Sequence, residues 1–195
     1  MRRGWAISLA FLLVTGSALA DQHQEKKDAK AAAAKPGAPA PGDQHKKLGY
    51  FVGSWKVSGD MKENPFMPAG AFSGNETCSW HDGKFAVVCK SNGKGAMGSM
   101  SGLGIMTWDM AKQDYVYFGV DNNGMADNAH GTLTGDNWVY TNETKMGDKT
   151  YKGRYSMDTS KPDEYTYKWE MSEDGTNWKS VMEGKNMRVK AAAKK

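Results

Sequence analysis

From residue 54 to residue 189, apolar and polar side chains alternate in short runs separated by turn residues. The clearest run sets Tyr165, Tyr167, Trp169 and Met171 against Thr166, Lys168, Glu170 and Ser172. Successive side chains of a strand point to opposite faces, so this run predicts a strand with one apolar and one solvated face. Trp55, Val57 and Gly59 likewise share a face opposite Lys56, Ser58 and Asp60. Turn chemistry recurs at Asp82-Gly83, Met110-Ala111-Lys112, Asn122-Asn123-Gly124, Gly135-Asp136-Asn137, Met146-Gly147-Asp148, Lys161-Pro162-Asp163 and Asp174-Gly175. Between these turns the pattern predicts strands near 54–61, 71–80, 84–91, 102–109, 113–120, 124–134, 137–143, 149–157, 164–172 and 180–189. The fold class is therefore all-β. About ten strands in series close most economically as a single antiparallel up-and-down β-barrel, because closure removes the edge strands. A two-sheet sandwich is the structural alternative.

Two stretches depart from period two. Leu48, Phe51 and Val52 have helical spacing, which predicts a short N-terminal helix over Gln44 to Phe51, capped by Asp43 and broken by Gly53. Such a helix, followed by Gly53-Ser54-Trp55, suits a barrel with one end plugged and a large ring lying across its floor. The other stretch is Ser91 to Gly104, with five glycines and two methionines. It reads as a mobile loop over the barrel mouth, with Met97 and Met100 as candidate portal residues.

The ends of the chain differ in composition. Arg2 and Arg3 precede an apolar run from Trp5 to Val14, and Ala18-Leu19-Ala20 precedes Asp21. This is the pattern of a signal peptide over residues 1–20, so the chain is expected to be exported, periplasmic or secreted. Residues 21–44 are rich in Ala, Lys and Pro and lack aromatic residues, which predicts a disordered linker. Residues 190–195 form a similar basic tail, leaving one barrel domain over 45–189. The whole chain has 26 basic and 22 acidic residues, of which 17 and 18 fall in 45–189. The excess of positive charge thus sits in the tails. They could touch a membrane or cell wall weakly, while the near-neutral domain carries no nucleic-acid footprint.

Little catalytic chemistry is visible. Cys78 and Cys89, the only cysteines, flank the Asp82-Gly83 turn on adjacent predicted strands. A strict two-residue turn opposes Cys78 to Val87, whereas a longer loop from Asp82 to Phe85 opposes the two cysteines directly. In an oxidising compartment the longer loop and a disulfide are expected, with two free thiols as the alternative. No zinc-ligand spacing, Gly-x-Ser-x-Gly elbow, phosphate loop or dinucleotide fingerprint occurs. Asp121, Asp127 and His130 could form a polar cluster for an enzyme of a small substrate, or be turn residues and a solvated histidine. Met97-x-x-Met100 and the many other methionines could bind Cu(I), or fill an adaptable apolar cavity.

His45-Lys46-Lys47-Leu48, Gly53-Ser54-Trp55, Leu103-Gly104-Ile105-Met106 with Asp109, Tyr115, Val120-Asp121-Asn122, Gly124-Met125, Gly131-Thr132, Asp174-Gly175 and the Met182 to Arg188 strand occur in this order. Over residues 45–189 the chain resembles a bacterial family known as domain of unknown function 1579. The resemblance implies a calycin-type, lipocalin-like barrel with a central cavity for a small apolar ligand, and it supplies no catalytic residues. Nitrobindin-like relatives bind haem through a late histidine, and no histidine follows His130 here. The reading is a non-enzymatic, exported barrel that binds or carries a small hydrophobic ligand, without cofactor or metal. Trp55, Tyr115, Tyr117, Tyr167, Trp169 and Met171 are its candidate ligand-binding residues. A filled barrel acting as a structural or interaction module of the envelope is the alternative.

Overall fold

The computed structural model describes residues 39–64 and 67–190. The predicted signal peptide, the linker as far as residue 38 and the tail from residue 191 lie outside the described residues. A short helix, α1 (Asp43–Lys47), runs into a 3-10 turn (Leu48–Phe51) and then ten strands. These are β1 (Gly53–Met61), β2 (Gly70–Trp80), β3 (Ala86–Gly95), β4 (Gly98–Asp109), β5 (Asp114–Asp121), β6 (Ala126–Thr134), β7 (Asn137–Met146), β8 (Lys149–Lys161), β9 (Glu164–Ser172) and β10 (Lys179–Arg188). Each pairs antiparallel with its sequence neighbour, and β1 closes on β10 from Trp55↔Arg188 to Met61↔Met182. The barrel therefore has no unpaired strand edge.

The helical stretch is less regular than its sequence suggests. Gly42 is the N-cap, not Asp43, and its N–H donates to His45 Nδ1 at 3.2 Å. After Lys47 the turn tightens, which puts Leu48 and Phe51, three residues apart, on one side. Both are buried, and His45 packs edge-on against Phe85. So few residues would not stay helical alone, so packing on the barrel must hold them. Arg188, at the end of β10, ties the plug down. Its guanidinium donates to Tyr50 O at 2.7 Å and Val52 O at 2.8 Å and lies 4.0 Å from the Trp55 ring centre. Gly53 sits at φ +136°, and a Cβ there would stand 2.8 Å from the Arg188 guanidinium, so this position needs glycine twice over.

Aromatic rings fill the plugged end. Trp55, Tyr115, Trp138, Phe51 and Tyr165 interlock edge to face, with centroid separations of 4.6 Å for Tyr115–Trp138 and 5.0 Å for Trp55–Tyr165. This geometry suits the ring quadrupoles and adds to the burial of large apolar surface.

The structure corrects two further expectations. Ser91 to Gly104 is not a loop. It forms the far ends of β3 and β4, paired from Ser91↔Gly102 to Gly95↔Gly98 around a tight turn at Ala96-Met97. Its small residues have weak strand propensity, but β2 and β5 flank the pair and supply the ladder, as at Ser73↔Lys94 and Gly102↔Asp121. Asn122 adds a tie by donating its N–H to Ser101 O at 3.0 Å and accepting from Ser101 N–H at 2.7 Å. The outward face of β9 is also not wholly solvated, since Glu170 and Ser172 are buried. The β9–β10 connection folds back over them, held by the Asp174 carboxylate, which accepts the N–H groups of Thr176 and Asn177. Those bonds hold the Asp174 carboxyl far below the usual carboxylate range. Glu170 is charge-satisfied by Arg154 at 2.7 Å and Lys168 at 2.7 Å.

Candidate functional site

Inward-facing residues change character along the barrel axis. At the plugged end they are large and interlocked. Toward the opposite end β2, β3, β4 and β5 place Gly74, Gly93, Gly102, Gly104 and Gly119 inward, and the wall retreats. The space left is a cavity of about 420 Å³, mostly apolar in lining. Tyr117 lies flat across Gly104 and Gly119, where a Cβ would come within 2.9 Å and 2.6 Å of it. Eight methionines line the cavity: Met61, Met67, Met97, Met100, Met106, Met125, Met157 and Met182. Thioether side chains are flexible and polarizable, so such a wall adapts to varied apolar shapes. A wider depression of about 690 Å³ over β1, β8, β9 and β10 is bordered by outward Asp60, Lys168, Glu183 and Lys185, and offers solvated charge instead of an enclosed space.

Of the residues singled out in the sequence, Tyr117, Tyr167 and Trp169 line the cavity. Trp55 and Tyr115 face inward but belong to the aromatic plug, where Tyr115 OH donates to Gln44 Oε1 at 2.8 Å. Met171 is buried near the far end of β9 and does not reach the cavity either. These three shared the right face and the wrong height. Met97 and Met100 line the cavity at its mouth, with Met97 partly exposed on the β3–β4 turn. Cys78 and Cys89 stand directly opposite each other and form a disulfide, Cα–Cα 4.0 Å, reached by the longer loop around a 3-10 turn (Asp82–Lys84). Cys89 faces the cavity.

Asp121, Asp127 and His130 do not come together. His130 lies on the outer wall, its Nδ1 2.8 Å from Asp114 Oδ2, while Asp127 points inward and accepts Asn142 Nδ2–H at 2.6 Å. Asp121 stands at the rim, where its carboxylate accepts the N–H groups of Asn123 and Met125. Alternation sends Asp127 and His130, three apart on one strand, to opposite faces. The one group of three potential metal ligands among the described residues is Glu76 with Cys78 and Cys89. The disulfide removes both thiolates from it.

The sequence reading missed Glu76. It lies on β2 in the apolar phase, between Gly74 and Cys78, and its carboxylate lines the cavity. Oε1 accepts Tyr165 OH at 3.0 Å and Asn186 Nδ2–H at 3.2 Å. Asn186 is itself buried, its Nδ2 also donating to Tyr165 OH, and its Oδ1 has no partner. Tyr140 OH is a second buried atom of the lining without a partner. Burial pushes the Glu76 carboxyl above the usual range, and the Tyr165 and Asn186 bonds pull it back only in part. Burial likewise pushes the Tyr117 hydroxyl up to about 12. A polar residue in the apolar phase of a strand was the available signal, at Glu76 and again at Asp127, Asn142 and Asn186.

Glu76 thus has a stability consequence. A carboxyl raised on folding stabilises most when it is protonated, below its unfolded value of about 4.3. That contribution is lost as pH rises through its folded value. Glu76→Gln should therefore raise the Tm of the ligand-free protein at pH 7.5 by a few degrees. The gain should shrink toward nothing at about pH 4, where wild-type Glu76 is itself neutral. Thermal melts of both proteins at the two pH values check this. A variant less stable at pH 7.5 would show that the Tyr165 and Asn186 bonds outweigh the cost of burial.

The family described as "Protein of unknown function (DUF1579)" matches residues 40–188. No curated protein matches the sequence. Among solved structures the chain is similar to Rv2717c from M. tuberculosis, with 17% identity and a TM-score of 0.55 over 77% of this chain and 99% of that one. It is also similar to the S-type phycobiliprotein lyase CPES from Guillardia theta, with 10% identity and a TM-score of 0.53 over 76% and 94% of the two chains. At these identities the likeness shows a shared barrel fold.

Proposed function

Because this chain belongs to the DUF1579 family and encloses a lined cavity in a closed ten-stranded barrel, we propose that it binds or carries a small hydrophobic molecule there. The observation that carries this reading is the cavity. Its volume of about 420 Å³ lies within the range of small-molecule sites, roughly 300–1,000 Å³. Action by binding, without catalysis, agrees with the separation of His130 from the inward acids. Export agrees with the Arg2 to Ala20 pattern and with a disulfide in the wall. The Met97 and Met100 rim serves as the portal in this reading, a paired hairpin end in place of a loose lid.

Titration with the uncharged fluorophore N-phenyl-1-naphthylamine tests the reading. One saturable site is expected, with dye emission rising as it leaves water. Ala129→Phe, which adds a ring to the cavity wall, should weaken binding about tenfold or more, equal to about 1.4 kcal/mol, while circular dichroism stays that of the barrel. If neither this dye nor any cationic or anionic apolar probe saturates, the barrel is not a carrier.

A further inference from the structure

We propose that the cavity selects hydrophobic cations, amines with an apolar tail, over neutral and anionic molecules of the same shape. This deepens the binding reading and rests on it. The first ground is the charge of the lining. Among the described residues that line the cavity are Glu76, Asp121 and Asp127, and no Lys, Arg or His. The domain as a whole is nearly balanced in charge, so its cations have been kept on the outside, as with Lys168, Arg154 and Lys185. An anionic head group brought into this space would meet carboxylates without a counter-ion, and burying an unpaired charge is costly.

The second ground is hydrogen-bond polarity. Tyr165 spends its hydroxyl proton on Glu76, and Asn186 Nδ2 donates to Glu76 Oε1 and to Tyr165. The Asn186 amide is oriented by those two bonds, which leaves its Oδ1 buried and without a donor. Glu76, Tyr165 and Asn186 all line the cavity, so the cluster places acceptor oxygens in its wall. Buried polar atoms are normally satisfied, so an orphan of this kind asks for a donor from a ligand. A carboxylate ligand has none, an alcohol has one, and an ammonium group has up to three and carries the complementary charge.

The third ground is the remaining surface. Tyr117, Tyr140, Tyr155, Tyr167 and Trp169 present rings to the same space. Aromatic faces attract cations, more strongly where water is excluded. The methionine wall would take the tail with little demand on its shape.

The test is a matched series, decylammonium, decanol and decanoate, each kept below micelle formation and competed against N-phenyl-1-naphthylamine at pH 7.5. Decylammonium is expected to displace the dye at a concentration about tenfold lower than decanol, with decanoate weakest. Glu76→Gln should bring the ammonium-to-alcohol ratio below about threefold, with the larger loss falling on decylammonium. Asp127→Asn, across the cavity, should lower the ratio less and serves if Glu76→Gln does not fold. Equal or tighter binding of decanol or decanoate to the wild type would overturn the selectivity and leave the carrier reading standing. An ammonium preference that survives both substitutions would also overturn it, since the inward acids would not be its source. Failure of the dye and all three competitors to bind would instead remove the carrier reading itself.

Discussion

Trp55→Ala should cost the barrel about 3–5 kcal/mol, the range for removing a buried large aromatic side chain. The ring has no exposed surface and belongs to the buried cluster that fills the plug. Its Nε1–H donates to Phe51 O at 2.8 Å, its face carries the Arg188 guanidinium, and its edge meets Tyr165. Truncation leaves a cavity, a buried carbonyl without its donor and a guanidinium without its platform. Trp55→Phe keeps most of the volume and loses the N–H, so about 1–3 kcal/mol of that loss is expected to remain. Trp169→Ala is the control. That ring is only part-buried and faces space already empty, so it should cost far less. Urea unfolding followed by circular dichroism reads all three. A Trp55→Ala loss below about 1 kcal/mol would mean that the plug is not coupled to barrel closure, and the account of Arg188 as its tether would fall with it.

Removing the disulfide should lower stability by about 3 kcal/mol, the chain-entropy value for a loop of this size. The cysteines are 11 residues apart and directly opposed on β2 and β3. For a chain of this length that corresponds to a Tm lower by roughly 6–12 °C. Melts of Cys78→Ala with Cys89→Ala, or of wild type in reductant, measure it. The same bond tests export. Protein isolated from its host should begin at Asp21 and show no free thiol under denaturing, non-reducing conditions. Two free thiols, or an N-terminus still at Met1, would contradict export into an oxidising compartment. A double variant that melts with the wild type would show that β2 and β3 are already held by their ladder.

The architecture was largely legible in the sequence. Ten alternating runs became ten strands, and the turn residues fell where the chain reverses. A one-residue slip in a half-buried strand would turn its apolar face to water, so period two specifies register strongly. Counting across the turn left Cys78 opposite either Val87 or Cys89, and the expected oxidising compartment favoured the cysteine pair that the structure has. Where propensity was the main guide, the reading failed. Ser91 to Gly104 looked like a loop because Gly, Ser and Asn are weak strand formers, yet neighbouring strands on both sides imposed pairing.

The site was legible only in part, and the reason is geometric. Alternation reports which face a side chain occupies, and by itself neither how high on the barrel axis it sits nor whether the space before it is filled. Trp55, Tyr115 and Tyr117 obey the same inward rule. The first two lie in the plug and the third borders open space, because β1 starts at one end while β5 crosses from that end to the other. The glycines at the empty end sit on four consecutive strands, β2 to β5, and the pairing of those strands sets them side by side, as at Gly74↔Gly93 and Gly104↔Gly119. Glu76 showed its polarity against an apolar phase in the sequence. Its meeting with Tyr165 and Asn186, 89 and 110 residues further along the chain, was decided by the closure of β1 on β10, which brings β2 beside that end of the chain with only β1 between it and β10. The chain by itself thus determined the strands, their faces and their serial order, which depend on local alternation and turn chemistry. The cavity, the plug and the charge of the lining were decided by tertiary structure, because each depends on residues from several strands meeting at one level of a closed barrel.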